Sequence, residues 1–105
     1  MPKGVMIVQS RPVSADREDE YNEWYSSVHI PEILAIPGFT GARRYKVLGP
    51  DGPAYVAVYE LEADDITAPV KELGARSAAG QHTMSDVLAT EPPPVVTIAG
   101  QLDPA

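Results

Sequence analysis

The chain has 105 residues, 44% of them hydrophobic and 22% charged, with a formal net charge of -7 at pH 7. These totals describe one globular domain with a modest core and exclude a disordered chain. The acidic balance argues against nucleic acid and anionic membrane surfaces as partners, and the lack of cysteine excludes disulfides, thiolate catalysis and zinc–thiolate sites. No run of apolar residues is long enough to cross a membrane, and the first residues lack the apolar core of a signal peptide, so a cytoplasmic protein is expected.

Residues 5–10 (VMIVQS) are apolar and partly β-branched and close on Arg11-Pro12, which predicts a first strand. A helix follows. Ser14 or Asp16 is placed to cap it, and Glu18, Asp19 and Glu20 suit the positive end of its dipole. At helical spacing Tyr21, Trp24, Tyr25 and Val28 share one face, with His29 at its edge. Pro31 has no N–H for the carbonyl of Ser27 and disfavours helical angles at Ile30, so the helix is expected to stop near His29 or Ile30. Residues 31–36 can start a new turn, which Pro37-Gly38 ends. Open carbonyls at the end of the first helix would favour a protonated His29, and burial beside Trp24 and Tyr25 would oppose it.

Residues 39–48 (FTGARRYKVL) read as a second strand, with Phe39, Gly41, Arg43, Tyr45 and Val47 on one face and Thr40, Ala42, Arg44, Lys46 and Leu48 on the other. The turn cluster Gly49-Pro50-Asp51-Gly52-Pro53 folds it back as a hairpin. Residues 54–62 (AYVAVYELE) form the third strand, largely apolar on both faces, which suggests cover on both sides. Asp64 and Asp65 start a second helix through Ile66, Val70, Leu73 and Ser77, with Pro69 in its first turn and Gly74 weakening its end. Residues 80–91 are ambiguous, with a possible extra helical turn in TMSDVLA. After Pro92-Pro93-Pro94, residues 95–102 read as a last strand. The order β-α-β-β-α-β is an α+β, ferredoxin-like arrangement over residues 1–105: a four-stranded antiparallel sheet with both helices on one face. Nothing remains to cover the other face, which predicts a homodimer formed through the sheets.

The stretches EYNEWYSSVHIPEILAIPGFTGARRY and AYVAVYELE resemble the dimeric α+β barrel superfamily, nearest to its EthD-like and uncharacterised bacterial members. The shared pattern is an aromatic first helix, a His-x-Pro near its end, a Pro-Gly-Phe entry to the second strand, an Arg-Arg-Tyr within it, and a Tyr-x-Ala-x-Tyr-Glu third strand. The resemblance implies a mostly apolar pocket between sheet and helices, with His29 as the polar group at it. The superfamily includes muconolactone isomerase-like enzymes, polyketide cyclases, cofactor-free monooxygenases and haem-degrading enzymes. The haem-degrading pattern, an Asn on the first strand with Trp and His on the second helix, is not met: Gln9 and Ser10 occupy the strand, the second helix has no Trp, and His82 lies beyond it.

The expected function is therefore a small cofactor-independent enzyme. It would perform proton transfer (isomerisation, cyclisation, dehydration or cofactor-free oxygenation) on an aromatic, polyketide-like or lactone-like compound. His29 would be the acid or base and Tyr25 a second donor. Trp24, Tyr21, Tyr45 and Tyr59 would line the substrate, and Arg43 or Arg44 would meet an anion. Each has a plainer reading: His29 bonded to helix carbonyls, the aromatics as core, the arginines paired with surface acids, His82 as a loop histidine. The alternative function is a non-catalytic ligand-binding or accessory protein. His29 and Glu32 are of metal-ligand type, but Pro31 between them breaks the helical spacing such a pair needs, so no metal is expected.

Overall fold

Side-chain alternation in residues 55–61 sets the two faces of the sheet. Tyr55, Ala57, Tyr59 and Leu61 are buried on one face, opposite Ser10, Val8, Met6 and Gly4 of the neighbouring strand. The computed structural model describes residues 1–102 and 104. Its four strands are β1 (Lys3–Ser10), β2 (Phe39–Lys46), β3 (Tyr55–Glu62) and β4 (Val95–Gly100), all antiparallel, in the order β2-β3-β1-β4. The helical layer packs on the face that carries Met6, Ala57 and Tyr59, where it supplies Tyr21, Trp24, Tyr25, Ile33 and Ile36 to one core. This is the ferredoxin-like βαββαβ fold expected from the element order. No helix among the described residues is long and apolar enough to cross a membrane.

The first helix departs from expectation. α1 (Glu18–Trp24) does not stop before Pro31. It runs through a π-turn (Tyr25–His29) into α2 (Ile30–Leu34). Ile30 keeps helical angles (φ -62°, ψ -48°), and its N–H reaches back five residues to the Tyr25 carbonyl. The wider turn shifts the hydrogen-bond register just where Pro31 has no N–H to give, so the proline begins a new α-helical segment instead of ending the old one. Entry to α1 also differs. A 3-10 turn (Ala15–Arg17) precedes it, and Ser14 makes no side-chain cap.

β2 carries a bulge between Phe39 and Gly41. The extra residue puts Phe39 on the helix-facing side with Ala42 and Arg44, not with Arg43 and Tyr45 as strict alternation predicts. The strand ends at Lys46, and Leu48 is 94% exposed. β4 likewise ends at Gly100 rather than Leu102.

α3 (Thr67–Ala78) starts where Asp65 accepts hydrogen bonds from the N–H and hydroxyl of Thr67. It passes through Gly74 and closes on Gly80, whose φ of +72° allows Gln81 N–H to reach Arg76 O and Gly80 N–H to reach Ser77 O. Residues 81–94 form no further helix. They are a strap pinned to the segment after β1 by Val13 N–H to Val87 O and Ala89 N–H to Arg11 O, with Val87 buried in the core. The sheet's other face carries Val5, Ile7, Val58, Val95 and Thr97, and no helix among the described residues packs on it.

The junction between α2 and β2 fixes the helical layer. Gly38 has φ +101°, and a Cβ there would lie 2.3 Å from Cγ of Pro69 in α3. Gly38→Ala is expected to destabilise the fold by about 2 kcal/mol or more, from backbone strain and collision together. Urea denaturation of Gly38→Ala, alone and with Pro69→Ala, checks this: the double variant should recover the collision part and keep the strain part.

Candidate functional site

The π-turn brings the site's rings together. Trp24 and His29 are five residues apart, which on an α-helix would point them about 140° away from each other. A π-turn, with its wider i→i+5 hydrogen-bonded loop, narrows that angle. Their rings stack with centroids 4.6 Å apart and planes 20° apart. Tyr25 meets His29 edge-on at 4.9 Å. Such contacts are worth about 0.5–1.5 kcal/mol each and fix the imidazole against two rings.

His29 borders a cavity of about 280 Å³ between sheet and helical layer. Met6 and Val8 of β1 form its floor, and Tyr25, His29 and Ile33 one wall. Val70 and Leu73 of α3 face them, and Met84 and Leu88 of the strap close one end. The lining is mostly apolar, with His29, Tyr25 and Ser77 as its polar-capable side chains. A larger hollow of about 490 Å³ runs between Met1, Gly38 and α3, but it is shallow and acidic, with Glu62, Asp64 and Glu72 at its walls. It contains no imidazole or phenol, so it offers no comparable chemistry.

Burial pushes the His29 imidazole down to about 4, with the charges of His82 and Arg44 acting in the same direction and Glu32 opposing them. The neutral form therefore prevails at physiological pH. No helix terminus sits at His29 to favour the cation, because the helix continues to Leu34. Nδ1 of His29 is buried without a hydrogen-bond partner. That leaves Nε2 as the nitrogen a ligand can reach.

Behind the cavity lies a tyrosine cage around Arg44. The guanidinium carbon sits 4.3 Å from the ring centre of Tyr25, 5.0 Å from that of Tyr55 and 5.4 Å from that of Tyr21. Its Nε and Nη2 are buried and make no hydrogen bond. Flat ring faces stabilise a planar, weakly hydrated guanidinium where no carboxylate is at hand. The Tyr21 hydroxyl pairs with Ser10 Oγ at 2.6 Å, and burial raises its pKa. The Tyr59 hydroxyl is buried beside Tyr25 without a well-formed hydrogen bond, and burial raises its pKa further. Tyr55 donates to Glu18, which also meets Lys46 Nζ at 3.0 Å.

The structure thus puts His29 and Tyr25 on the cavity wall. It stacks Trp24 on His29 but off the cavity wall, contrary to its expected place against the substrate, and sets Tyr21, Tyr59 and Arg44 in the packed layer behind. Arg43 and Tyr45 point to the opposite face of the sheet, with Tyr45 52% exposed. His82, read from sequence as a loop histidine, lies close enough to His29 for its charge to act there. No spacing rule could have linked two histidines 53 residues apart in the sequence. Among the described residues, no group of three or more His, Cys, Asp or Glu side chains is arranged to hold a metal ion.

A family model described as a domain of unknown function (DUF4286) matches residues 9–79. No curated protein matches the chain. Among solved structures, a dimeric ferredoxin-like protein from an uncultured marine organism is 10% identical, with 97% of each chain covered and a TM-score of 0.63. A monooxygenase of Streptomyces coelicolor (gene ActVA-Orf6), solved with the ligand nanaomycin D, is 19% identical over 94% of this chain and 88% of the other, with a TM-score of 0.51. An EthD (ethyl tert-butyl ether D) family protein of Bacillus halodurans C-125 is 15% identical over 97% of this chain and 100% of the other, with a TM-score of 0.51. The chain shares the ferredoxin-like fold with these proteins, the EthD family member included.

The depressed pKa has a thermodynamic consequence. The unfolded chain takes up a proton at His29 near pH 6.5, while the folded chain resists it until about 4. Stability should therefore fall as pH drops from 6.5 towards 4, by up to about 3 kcal/mol from this group. The Asp and Glu carboxylates contribute acid sensitivity of their own, so the measured quantity is the difference between wild type and His29→Gln in urea denaturation across this window. The wild type should lose more stability than the variant.

Proposed function

The chain belongs to the DUF4286 family, and we propose that it binds a small apolar or aromatic compound in the 280 Å³ cavity and transfers a proton on it through His29. The observation that carries this reading is an imidazole held neutral, with one nitrogen sealed, on the wall of an otherwise apolar cavity. A neutral imidazole can accept a proton from an acidic C–H or O–H beside a carbonyl and return it to another position. Trp24 and Tyr25 hold the ring, so little reorganisation is needed when a ligand enters. Tyr25 is the second donor. The chemistry needs no cofactor and suits isomerisation, cyclisation, dehydration or cofactor-free oxygenation of aromatic, polyketide-like or lactone-like compounds. The nanaomycin D bound by the Streptomyces coelicolor monooxygenase supports including such compounds in a first ligand panel.

The same low pKa favours a second reading. An imidazole that protonates only near 4 is a weak base at neutral pH, and a binding protein would use it as a hydrogen-bonding group alone. The two separate by experiment. Leu73→Trp fills the cavity and should abolish binding of any ligand found in the panel. His29→Gln should retain binding within about tenfold and lose turnover by roughly a hundredfold or more if His29 is the base. Binding by the wild type with no turnover of any bound compound would select the binding protein.

The open face of the sheet supports the homodimer reading. Val5, Ile7, Val58 and Val95 form an apolar strip across three strands, and the ferredoxin-like neighbour from the marine organism is dimeric. Val58→Asp places a charge within that strip, beside Ile7. Sedimentation should find the wild type as a dimer and the variant as a folded monomer.

A further inference from the structure

The strap closes its end of the cavity with two residues that are held in different ways. Leu88 is fixed. It bridges Pro12, with Val13 N–H to Val87 O at 2.7 Å and Ala89 N–H to Arg11 O at 2.9 Å on either side. Val87 beside it is buried in the core. Met84, at the same end of the cavity, is 59% exposed. Among the described residues, 82–86 make no backbone-to-backbone hydrogen bond to the sheet or the helices. Side chains hold them instead. Trp24 Nε1–H donates to the Thr83 carbonyl at 3.1 Å. Thr83 donates its N–H to Glu32 Oε1 at 2.9 Å and its hydroxyl to Glu32 Oε2 at 3.2 Å. Asp86 meets Arg17 at 3.0 Å in a surface ion pair. Backbone anchoring resumes only at the two ends, through Gln81 N–H to Arg76 O and through the Val87 carbonyl.

We propose that residues 82–86 are a hinged flap that gates the cavity, with Met84 as its plug and the Thr83 clasp as its latch. Gln81 and Val87 are the hinges. The use of the gate rests on the cavity being the ligand site; its movement does not. Exposed side-chain bonds hold far less firmly than buried backbone pairing, because water replaces each partner as it leaves. The weakest ties therefore sit where opening unplugs the cavity. Such an opening moves no strand or helix and leaves Val87 in the core. The latch also joins the gate to the imidazole. Trp24, which holds the Thr83 carbonyl, is the ring stacked on His29 and is only 8% exposed. A closed flap fixes the indole over His29 and shuts water out of that end of the cavity. An open flap wets the indole N–H and clears a path to the imidazole.

The chain's one tryptophan reports on the latch. Deuterium exchange of its indole N–H is followed by NMR in wild type, Glu32→Ala and Met84→Ala, with the Val13 and Ala89 amides marking the fixed half of the strap. Access to the cavity is read as the rate at which diethyl pyrocarbonate labels His29 at neutral pH, with peptide mass separating His29 from His82. Glu32→Ala removes the latch. It should speed indole exchange and His29 labelling by roughly tenfold each and leave the two marker amides unchanged. Met84→Ala removes the plug alone, and should speed labelling without changing indole exchange. Unchanged indole exchange in Glu32→Ala overturns the flap. Equal acceleration of the Val13 and Ala89 amides does so too, since it would mean loosening of the whole domain. Labelling that neither variant changes overturns the gate. No ligand is used, so a failed ligand panel and a failed gate are told apart.

Discussion

A helix can carry a proline in its middle only if the backbone near it gives up a hydrogen bond or changes register. Here it changes register. The π-turn at Tyr25–His29 shifts the donors by one residue, Ile30 bonds to Tyr25, and Pro31 falls where a new helical segment begins. The consequences reach both ends of the site. Upstream, Tyr21, Trp24 and Tyr25 are seated in the core. Downstream, Ile33 and Ile36 continue the same buried face. Between them His29 is rotated onto the Trp24 ring, where a regular helix would have turned it away.

The layer beneath that helix is polar in an unusual manner. Its cation sits among aromatic rings instead of carboxylates, and of the phenols around it Tyr21 bonds to a serine and Tyr55 to Glu18, while Tyr59 has no partner. Burial is what chiefly disfavours a positive charge on His29, and the positive charge on Arg44 adds a little in the same direction. Packing and electrostatics therefore act in one direction on the imidazole. The Glu18 and Lys46 pair with Tyr55 seals the far end of the layer at the surface, where ion pairs contribute little to stability.

Much of the fold was legible in the sequence. The alternation in residues 54–61, the turn cluster 49–53 and the Pro-Gly before Phe39 gave element order, and element order gave the four-stranded sheet. Expectation failed where one residue's backbone choice overruled a local rule. Pro31 reads as a stop, and the π-turn removed the reason to stop. Phe39 reads as sharing a face with Arg43, and the bulge moved it. Of the site, helical spacing put Tyr21, Trp24 and Tyr25 on one face with His29 at its edge, and the stacking of His29 on Trp24 came from the π-turn. The caging of Arg44 depends on tertiary packing that no spacing encodes. The approach of His82 depends on side chain-to-backbone bonds from Trp24 and Glu32 to Thr83, and such bonds leave no pattern in a sequence.

A π-turn is, in counting terms, a helix with one residue too many. Relatives that lack the extra residue would present a different side chain at the place His29 occupies in space. An alignment that runs without a gap across residues 25–29 would then pair His29 with a position rotated away from the cavity. Tracing this histidine through distant members of the fold therefore calls for a one-residue gap inside the helix, where gaps are ordinarily forbidden. A site shared in space can look absent in sequence for that reason alone.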